Sequence, residues 1–174
     1  MPLGFKGNIL TSGSGSAEAL ETIVTANGYT VGSAYSDLPS RTFTTVKDEL
    51  GIVVSATNDG PYTPNFNHLR LANGTYNIEI TAVSGSTTRV SNYRAGVGTL
   101  YNNAGTPNVN FVLYKSYNGD GTTSSTLTLP SFPDSLGSVT MGDGQAKGLM
   151  FHSNVTNGGH SAGAPSVTFR ITAT

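Results

Sequence analysis

The 174-residue chain contains no cysteine. Without thiols it has no disulfide bond, no thiolate zinc site and no cysteine nucleophile, whatever compartment it occupies. A chain of this length suits one domain of ordinary size that buries a hydrophobic core.

Charged side chains are scarce, at 11% of residues against roughly 25% in ordinary soluble domains. Glycine, serine, threonine and asparagine take their place, so we expect a polar but nearly uncharged surface, with a formal net charge of -1. The nine lysines and arginines are scattered from Lys6 to Arg170. A nucleic-acid partner requires clustered cations that neutralise phosphates, so this scatter predicts no such partner.

Long apolar runs are also missing. No window approaches the roughly 18 apolar residues of a membrane-spanning helix, which predicts no membrane partner. The N-terminus, MPLGFKGNIL, lacks a cationic segment followed by an apolar stretch, so we expect no secretory signal and synthesis in a cytoplasm. Low charge with abundant threonine and asparagine is common in proteins that end outside cells. Synthesis in a cytoplasm and a composition common outside cells together fit a virion, which is assembled inside a cell and acts outside it.

Residues 1–15 have the composition of an arm, followed by a single domain in residues 16–174. Four glycines punctuate the arm, and Ser12–Ser16 is rich in glycine and serine like a flexible linker. A solvated tail has no need of apolar side chains, yet the arm carries several. We predict that they contact a capsid or a neighbouring subunit, with packing on the domain's own surface as the alternative. These arm residues are Leu3, Phe5, Ile9 and Leu10.

The segment Leu69–Val83, LRLANGTYNIEITAV, has the clearest structural pattern. From Thr75 onward polar and apolar residues alternate, which predicts a half-buried strand because successive side chains of a strand face opposite ways. Asn73-Gly74 suits a tight turn, so we predict a hairpin whose second arm is a core strand. The residues predicted to face inward are Tyr76, Ile78, Ile80 and Ala82.

Glu79 falls on the polar face of this strand, in a chain that uses little charge. That face is either solvated or turned towards a neighbouring subunit. If Glu79 is buried it needs a cationic partner, and the candidates are Arg89, Arg94 and Arg170.

The segment Ala17–Ala26 fits two structures. Ser16 can cap a helix here, and Asn27-Gly28 can end it. The β-branched run from Thr22 to Thr25 favours instead a short strand that ends in an Asn-Gly turn. Both interpretations remain open from the sequence.

The rest of the chain predicts short strands separated by loops rich in turn residues. Gly96 and Gly98 indicate a bulge or a close approach of backbones within one strand. Val167–Ala173 alternates cleanly, which indicates a strand held in a sheet. About eight to ten strands, with at most one short helix, are typical of an antiparallel β-sandwich or barrel. The other predicted strands are Tyr29–Tyr35, Arg41–Val46, Ile52–Val54, Tyr93–Tyr101, Val109–Tyr117, Thr122–Leu129, Val139–Met141 and Lys147–Val155. The predicted loops include Asp37–Pro39 and Ser131–Gly137.

No combination of residues predicts catalysis. The adjacent carboxylates Asp48 and Glu49 would face opposite ways on a strand, and no G-x-S-x-G nucleophile elbow occurs. The three histidines are not spaced like metal ligands, and the acidic turn tips lack the ligand spacing of a calcium loop. We therefore predict a non-enzymatic protein with no metal and no cofactor. The histidines are His68, His152 and His160, and the acidic tips are Asp59, Asp120 and Asp143.

Tyrosines near asparagines are the sharper indication of a binding site. Exposed rings can stack on sugars while amides bind hydroxyls, which predicts a carbohydrate platform on loops. The ordinary alternative is that most of these tyrosines lie on strands and cover the core. The tyrosines concerned are Tyr35, Tyr62, Tyr93, Tyr101, Tyr114 and Tyr117, and the candidate loops are Asn58–Asn67, Asn102–Asn108 and Thr156–Pro165. The candidate glycan-contact residues are Tyr62, Asn65, Asn103 and His160.

Three segments carry a resemblance to a known group: Gly74-Thr75-Tyr76 before a core strand, Leu100-Tyr101-Asn102 on a later strand, and the closing strand Val167–Ala173. In this order they resemble the small jelly-roll heads of phage virion proteins. Those heads are similar to the trimeric jelly rolls of the tumour-necrosis-factor and complement-head type. The resemblance covers roughly residues 41–174. It implies a jelly-roll sandwich, a homotrimer and a closing strand near the trimer axis.

Two functions follow from this resemblance. One is a capsid decoration (cement) protein that binds the major capsid protein of a phage head. The other is a receptor-binding tail-fibre or adhesin head that recognises a cell-surface glycan. Receptor-binding tips usually close a much longer fibre chain, whereas this chain starts at Met1 with a short arm. The expectation is therefore a trimeric decoration protein in the virion, with the glycan-binding head as the alternative.

Overall fold

The computed structural model of the chain contains strands and turns but no helix in the residues that it describes. These are residues 18–27, 37–39, 42–57, 68–85, 90–103, 106–118, 127–144, 147–155 and 166–174. For residues 37–39, 55–57, 90–92, 100–103, 106–109 and 152–155 the backbone alone is described. This part of the chain accordingly includes no helix that could cross a membrane.

Eleven strands lie within the described residues, one more than the upper limit predicted. The additional one is β2, three residues long, in a segment predicted to be a loop. The strands are β1 (Glu21–Asn27), β2 (Asp37–Pro39), β3 (Thr42–Asp48), β4 (Val53–Thr57), β5 (His68–Leu71), β6 (Gly74–Ser84), β7 (Val90–Asn103), β8 (Thr106–Asn118), β9 (Asp134–Met141), β10 (Lys147–Val155) and β11 (Ser166–Ala173).

The strands form two antiparallel sheets, here named after their central strands. The β11 sheet has the order β3-β1-β11-β6-β9, and the β10 sheet has the order β4-β5-β10-β7-β8, with β2 paired to the far end of β10. Eight strands pair in a nested order: β1 with β11, β5 with β10, β6 with β9 and β7 with β8. One long antiparallel hairpin rolled into two sheets gives this order, which defines a jelly roll. The predicted fold class, an antiparallel β-sandwich of jelly-roll type, is confirmed.

The core lies between the sheets and is filled from alternate positions of their strands. Val24, Ile78 and Phe169 are fully buried on the β11 sheet. From the β10 sheet, Tyr93 and Phe151 meet edge to face, with ring centroids 5.1 Å apart and planes at 81°. Burying an aliphatic or aromatic side chain of this size contributes roughly 1.5–3 kcal/mol, so these strands are held chiefly by their inward faces.

The predicted hairpin around Asn73-Gly74 is wrong, although its second arm is a core strand as predicted. β5 belongs to the β10 sheet and β6 to the β11 sheet, so the turn carries the chain from one sheet to the other. The Tyr76 hydroxyl donates a hydrogen bond to the Ala72 carbonyl at 3.0 Å and secures this crossing. Alternation shows which side chains of a strand face inward, but it does not show which strand becomes the partner.

The inward row of β6 also differs from the prediction at its far end. Tyr76, Ile78 and Ile80 are buried, but Ala82 is exposed. Thr81 has no counterpart on β11, because Ile80 lies opposite Phe169 and Ala82 lies opposite Thr168. This bulge reverses the alternation, so that Val83 packs against the core instead.

The ambiguous segment before residue 28 is a strand in its described part. β1 buries Thr22, Val24 and Ala26, a period of two that only a strand produces. Elsewhere, the predicted strand ending at Leu129 is wrong for residues 127–129, which form no strand. The predicted loop up to Gly137 is wrong in its second half, where β9 begins at Asp134.

Gly96 and Gly98 show both features predicted for them. A Cβ atom added to Gly96 would lie 2.1 Å from the carbonyl oxygen of Leu113, and one added to Gly98 would lie 2.7 Å from the sulfur of Met150. The register of β7 against β8 also shifts between Val97 and Gly98. Glycine is therefore required for the backbones to approach this closely.

One polar cluster ties the two sheets together. The Tyr117 hydroxyl of β8 donates to an Asp134 oxygen of β9 at 2.9 Å, and Lys115 Nζ lies 2.9 Å from the other oxygen. Burial, with a further contribution from the Asp134 carboxylate, raises the pKa of Tyr117 far above its usual value. The hydroxyl therefore stays protonated and keeps its donor role at all ordinary pH values.

We predict that Gly96→Ala lowers the free energy of unfolding by about 1–3 kcal/mol, because the new methyl group must displace the β8 backbone. Urea unfolding should show a lower midpoint with an unchanged slope. Ser116→Ala, at an exposed position of the same strand pair, is the matched control and should leave the midpoint nearly unchanged. Equal midpoints for Gly96→Ala and wild type would contradict the close approach.

Candidate functional site

The corner between β3 and β4, where the chain passes from the β11 sheet to the β10 sheet, is organised by one carboxylate. Asp48 Oδ1 accepts hydrogen bonds from the Thr22 hydroxyl at 2.7 Å and from the Ile52 N–H at 3.0 Å. Its Oδ2 accepts from the Val53 N–H at 3.3 Å. Gly51, with φ of 63°, closes the turn by donating to the Asp48 carbonyl at 3.3 Å. A single side chain thus fixes the end of β3, the turn and the start of β4.

The ionisation of Asp48 depends on these bonds. Partial burial on its own would raise the pKa of the carboxyl, but the hydrogen bonds from Thr22, Ile52 and Val53 outweigh it, and the pKa lies below its usual value. The anionic form is therefore the one that the fold stabilises.

The start of β1 is attached to the same corner. Lys47 Nζ lies 3.1 Å from a Glu21 oxygen and 3.0 Å from a Glu49 oxygen. The Glu49 N–H donates to the Glu21 carbonyl at 3.1 Å. Leu20, the residue before β1, consequently lies beside the corner.

Three exposed apolar side chains surround this corner, and we call them the corner patch: Leu20, Val46 and Val54. They are exposed by 58%, 63% and 61%. Val46 lies two residues before Asp48, and Val54 follows the residue whose N–H binds Asp48. The corner patch begins ten residues after Leu10, the last apolar residue of the arm. An apolar surface therefore lies where the arm joins the domain.

The exposure of these valines has a common structural cause. The four strands at the ends of the two strand orders each carry a bulge, which is one residue more than the partner strand has over the same stretch; the three-residue β2 does not. A bulge twists an edge and interrupts the row of backbone groups to which another strand could add. The bulged residues are Val46 in β3, Val54 in β4, Val112 in β8 and Leu136 in β9. Leu136 is buried, whereas the three valines remain largely exposed.

The outer face of the β11 sheet is polar, and several of its side chains hydrogen-bond to one another. The Thr25 and Thr168 hydroxyl oxygens lie 3.0 Å apart, and those of Thr75 and Thr140 lie 3.1 Å apart. Asn27 Nδ2 donates to the Thr42 and Thr44 hydroxyls at 3.3 Å each. Ile23 lies opposite Arg170 in the middle of this face.

Glu79 has the partner that its position on this face requires. Arg170 Nε donates to Glu79 Oε2 at 2.8 Å, and a second guanidinium nitrogen donates to the same oxygen at 2.5 Å. Both side chains remain about one-third exposed, so the pair contributes little to stability in water. Of the three candidate arginines, Arg170 is therefore the partner.

The tyrosines divide between the two predicted roles. Tyr93 and Tyr117 are buried and cover the core, whereas Tyr114 on β8 is 47% exposed. The Tyr114 ring contacts Phe111, with centroids 5.1 Å apart. An aromatic surface is thus present on strand β8, whereas the side chains of the predicted loops lie outside the described residues.

The residues predicted as contact sites lie mostly outside the described part of the chain. This applies to Leu3, Phe5, Ile9, Leu10, Tyr62, Asn65 and His160, and to Tyr35, Asp59 and Asp120. Asn103 is described by its backbone alone and pairs with Thr106 at the end of β7. The sequence did not indicate the corner patch, because the bulges that expose the valines leave no mark in a short apolar run. It named Tyr114 among six tyrosines but did not distinguish the exposed ones from those that cover the core.

The candidate metal ligands are not brought together where the structure describes them. His68 is fully buried, His152 is described by its backbone alone, and Asp143 forms an ion pair with Lys147. Among the described residues, no three histidine, aspartate or glutamate side chains are grouped so that they could hold a metal ion.

Comparison with known proteins adds no relative. No family model, no curated protein sequence and no solved structure matches the chain significantly.

We predict that Asp48→Ala lowers the free energy of unfolding by about 1–3 kcal/mol at neutral pH, because two backbone N–H groups and the Thr22 hydroxyl lose their acceptor. Glu49→Ala removes an exposed ion pair with Lys47 and one long, exposed hydrogen bond from the Glu21 N–H; it is the matched control and should change the urea midpoint little. Equal effects of the two substitutions would contradict the role of Asp48.

The contribution of Asp48 should also depend on pH. Its pKa is lower in the folded than in the unfolded chain, so its stabilisation is complete above the ordinary carboxyl value and is lost as the pH falls through the folded value. The difference in urea midpoint between wild type and Asp48→Ala should therefore shrink below about pH 4. A difference that stays constant down to pH 2 would contradict this linkage.

Proposed function

We propose that this chain is a non-enzymatic phage virion protein: a capsid decoration (cement) protein that assembles as a homotrimer and stabilises the head by binding the major capsid protein. The observation that carries the proposal is the corner patch at the base of an apolar arm. The jelly-roll strand order supports it, since the resemblance to trimeric virion heads implies this fold.

The corner patch supplies the described apolar surface for the capsid, and the apolar arm precedes it in the sequence. Leu20, Val46 and Val54 each expose more than half of their surface, and an aliphatic side chain contributes roughly 1.5–3 kcal/mol when it is fully buried. The bulges at Val46 and Val54 disfavour strand addition, so the contact is made by side chains. Three such surfaces in one trimer bind together, which strengthens modest individual contacts through avidity.

The outer face of the β11 sheet is the surface that we assign to the trimer contact. Its central strand is β11, the strand that the resemblance places near the trimer axis. The hydroxyl pairs Thr25–Thr168 and Thr75–Thr140 are already satisfied within one chain, as is the Glu79–Arg170 pair. Burying this face against other copies therefore leaves few polar groups without partners.

We predict that Thr25→Glu converts the trimer into folded monomers, because it places an unpaired charge in the middle of the buried contact at a cost of several kcal/mol. Sedimentation velocity measures the change, and an unaltered circular dichroism spectrum shows that the fold is kept. Thr25→Ser, which retains the hydroxyl, is the matched control and should remain trimeric. A Thr25→Glu protein that stays trimeric would contradict the assigned face.

We predict that Val54→Asp, and separately deletion of residues 1–15, each weaken binding to capsids stripped of the protein by about tenfold or more, as expected for a loss of 1.4 kcal/mol or more. Co-sedimentation of the protein with such capsids measures the affinity. Val112→Asp is the matched control, because Val112 is also an exposed, bulged valine but lies on a different edge strand. Equal effects of Val54→Asp and Val112→Asp would contradict the corner patch as the capsid contact.

A further inference from the structure

The outer face of β8 carries a row of exposed side chains. The neighbouring strand, β7, has few side chains that could cover them. Tyr114, Ser116 and Asn118 alternate along β8 and are all exposed. Across the strand pair, Tyr114 lies opposite Gly96 and Ser116 lies opposite Arg94. Residues opposite each other in an antiparallel pair share a face of the sheet. We call Arg94, Tyr114, Ser116 and Asn118 the β8 platform.

The tyrosine of this platform is held in place and yet accessible. Its ring contacts Phe111 at 5.1 Å between centroids, with an interplanar angle of 40°. Gly96, directly opposite, has no side chain that could lie over the ring. Tyr114 therefore keeps 47% of its surface exposed while a neighbouring aromatic ring restricts its movement. Such a ring is suited to stacking, because little conformational entropy is lost when a ligand covers it.

The charge of the platform is equally distinctive in a chain with few charges. Arg94 is exposed and lies within ion-pair distance of no carboxylate among the described residues. Four of the five other lysines and arginines in this part of the chain have a carboxylate partner in an ion pair: Lys47, Lys115, Lys147 and Arg170. Arg94 lies diagonally across the strand pair from Tyr114, a separation of roughly 7–8 Å that long side chains can bridge.

We propose that the β8 platform binds a pyranose that carries a carboxylate, as found in acidic glycans. The apolar face of the sugar ring packs on Tyr114, and the carboxylate accepts paired hydrogen bonds from the Arg94 guanidinium. Asn118 and Ser116 supply amide and hydroxyl groups to the ring hydroxyls. The Ser116 hydroxyl donates to Asn118 Oδ1 at 3.1 Å, which orients the Asn118 amide before a ligand arrives.

The chemistry of the platform selects this class of ligand over two others. A nucleic acid requires several cations along its backbone, and the β8 platform presents one; Arg70, the other exposed arginine described on this face of the sheet, lies on β5, beyond β10. A neutral sugar would use the ring and the amide but would leave the guanidinium without a partner. The single positive charge beside a single stacking ring matches a monosaccharide unit with one negative charge.

The site is separate from the surfaces assigned to the trimer and to the capsid. It lies on the β10 sheet, whereas the trimer contact is assigned to the β11 sheet, and the corner patch lies around the β3–β4 corner. Sugar binding should therefore persist in the monomeric Thr25→Glu protein. A failure of the trimer assignment and a failure of this proposal are thus distinguishable.

Saturation-transfer NMR on the full chain tests the proposal with two acidic probes, a methyl glucuronide and a methyl sialoside, and with the neutral methyl glucoside. The glucuronide and the glucoside differ only at C6, which is a carboxylate in the glucuronide and a hydroxymethyl group in the glucoside. We expect at least one acidic probe to bind with a Kd of about 1 mM, as befits a shallow site, and the glucoside to bind about tenfold more weakly. Absence of transfer to both acidic probes would overturn the proposal.

Two variants identify the residues involved. Arg94→Gln should reduce the affinity for the acidic probe to that for the glucoside. Tyr114→Ala should abolish saturation transfer to the acidic probe and to the glucoside. Val54→Ala, at an exposed apolar position remote from the platform, should change neither. Arg94→Gln replaces an exposed side chain and keeps the test valid if Tyr114→Ala folds poorly. An acidic preference that survives Arg94→Gln would overturn the proposal.

Discussion

An open β-sandwich must protect the edges of its sheets, and this constraint shapes the surface of the molecule. Unpaired backbone groups on an edge strand invite the addition of another strand and hence aggregation. The four strands that end the two strand orders, β3, β4, β8 and β9, each carry a bulge, and the remaining edge strand, β2, is only three residues long. The bulges blunt the edges and also expose Val46, Val54 and Val112. Contacts between molecules are thereby directed to faces and side chains rather than to strand addition.

The corner at Asp48 holds two of the exposed, bulged valines in a defined position. Because one carboxylate holds the end of β3 and the start of β4, the bulged valines of both sheets lie on either side of a fixed turn. Leu20 joins them because Glu21 is attached to the same corner. In the proposed function this exposed apolar surface is the one that docks on a capsid. The same proposal assigns the polar outer face of the β11 sheet, whose side chains hydrogen-bond to one another, to contact between copies.

The sequence predicted the inward faces of the strands better than their arrangement. Alternation in Val167–Ile171 and in Tyr76–Ile80 identified buried residues because burial is a local property of a strand. The placement of β5 and β6 in different sheets was not predictable from Asn73-Gly74, since the same turn can join two strands of one sheet or pass between sheets. Bulges such as that at Thr81 depend on the partner strand, so Ala82 was assigned to the wrong face. The exposed positions Val54 and Tyr114 follow from tertiary packing and have no local signal.

The proposed trimer contact on the outer face of β11 can be measured directly. The absence of cysteine makes a direct measurement simple, since one introduced cysteine carries one spin label. With a label at Thr168→Cys, double electron–electron resonance should give one narrow distance distribution between copies, because the three labels face a common axis. The same label at Val54→Cys should give longer distances. A Thr168→Cys protein that shows no dipolar coupling between copies would contradict the account.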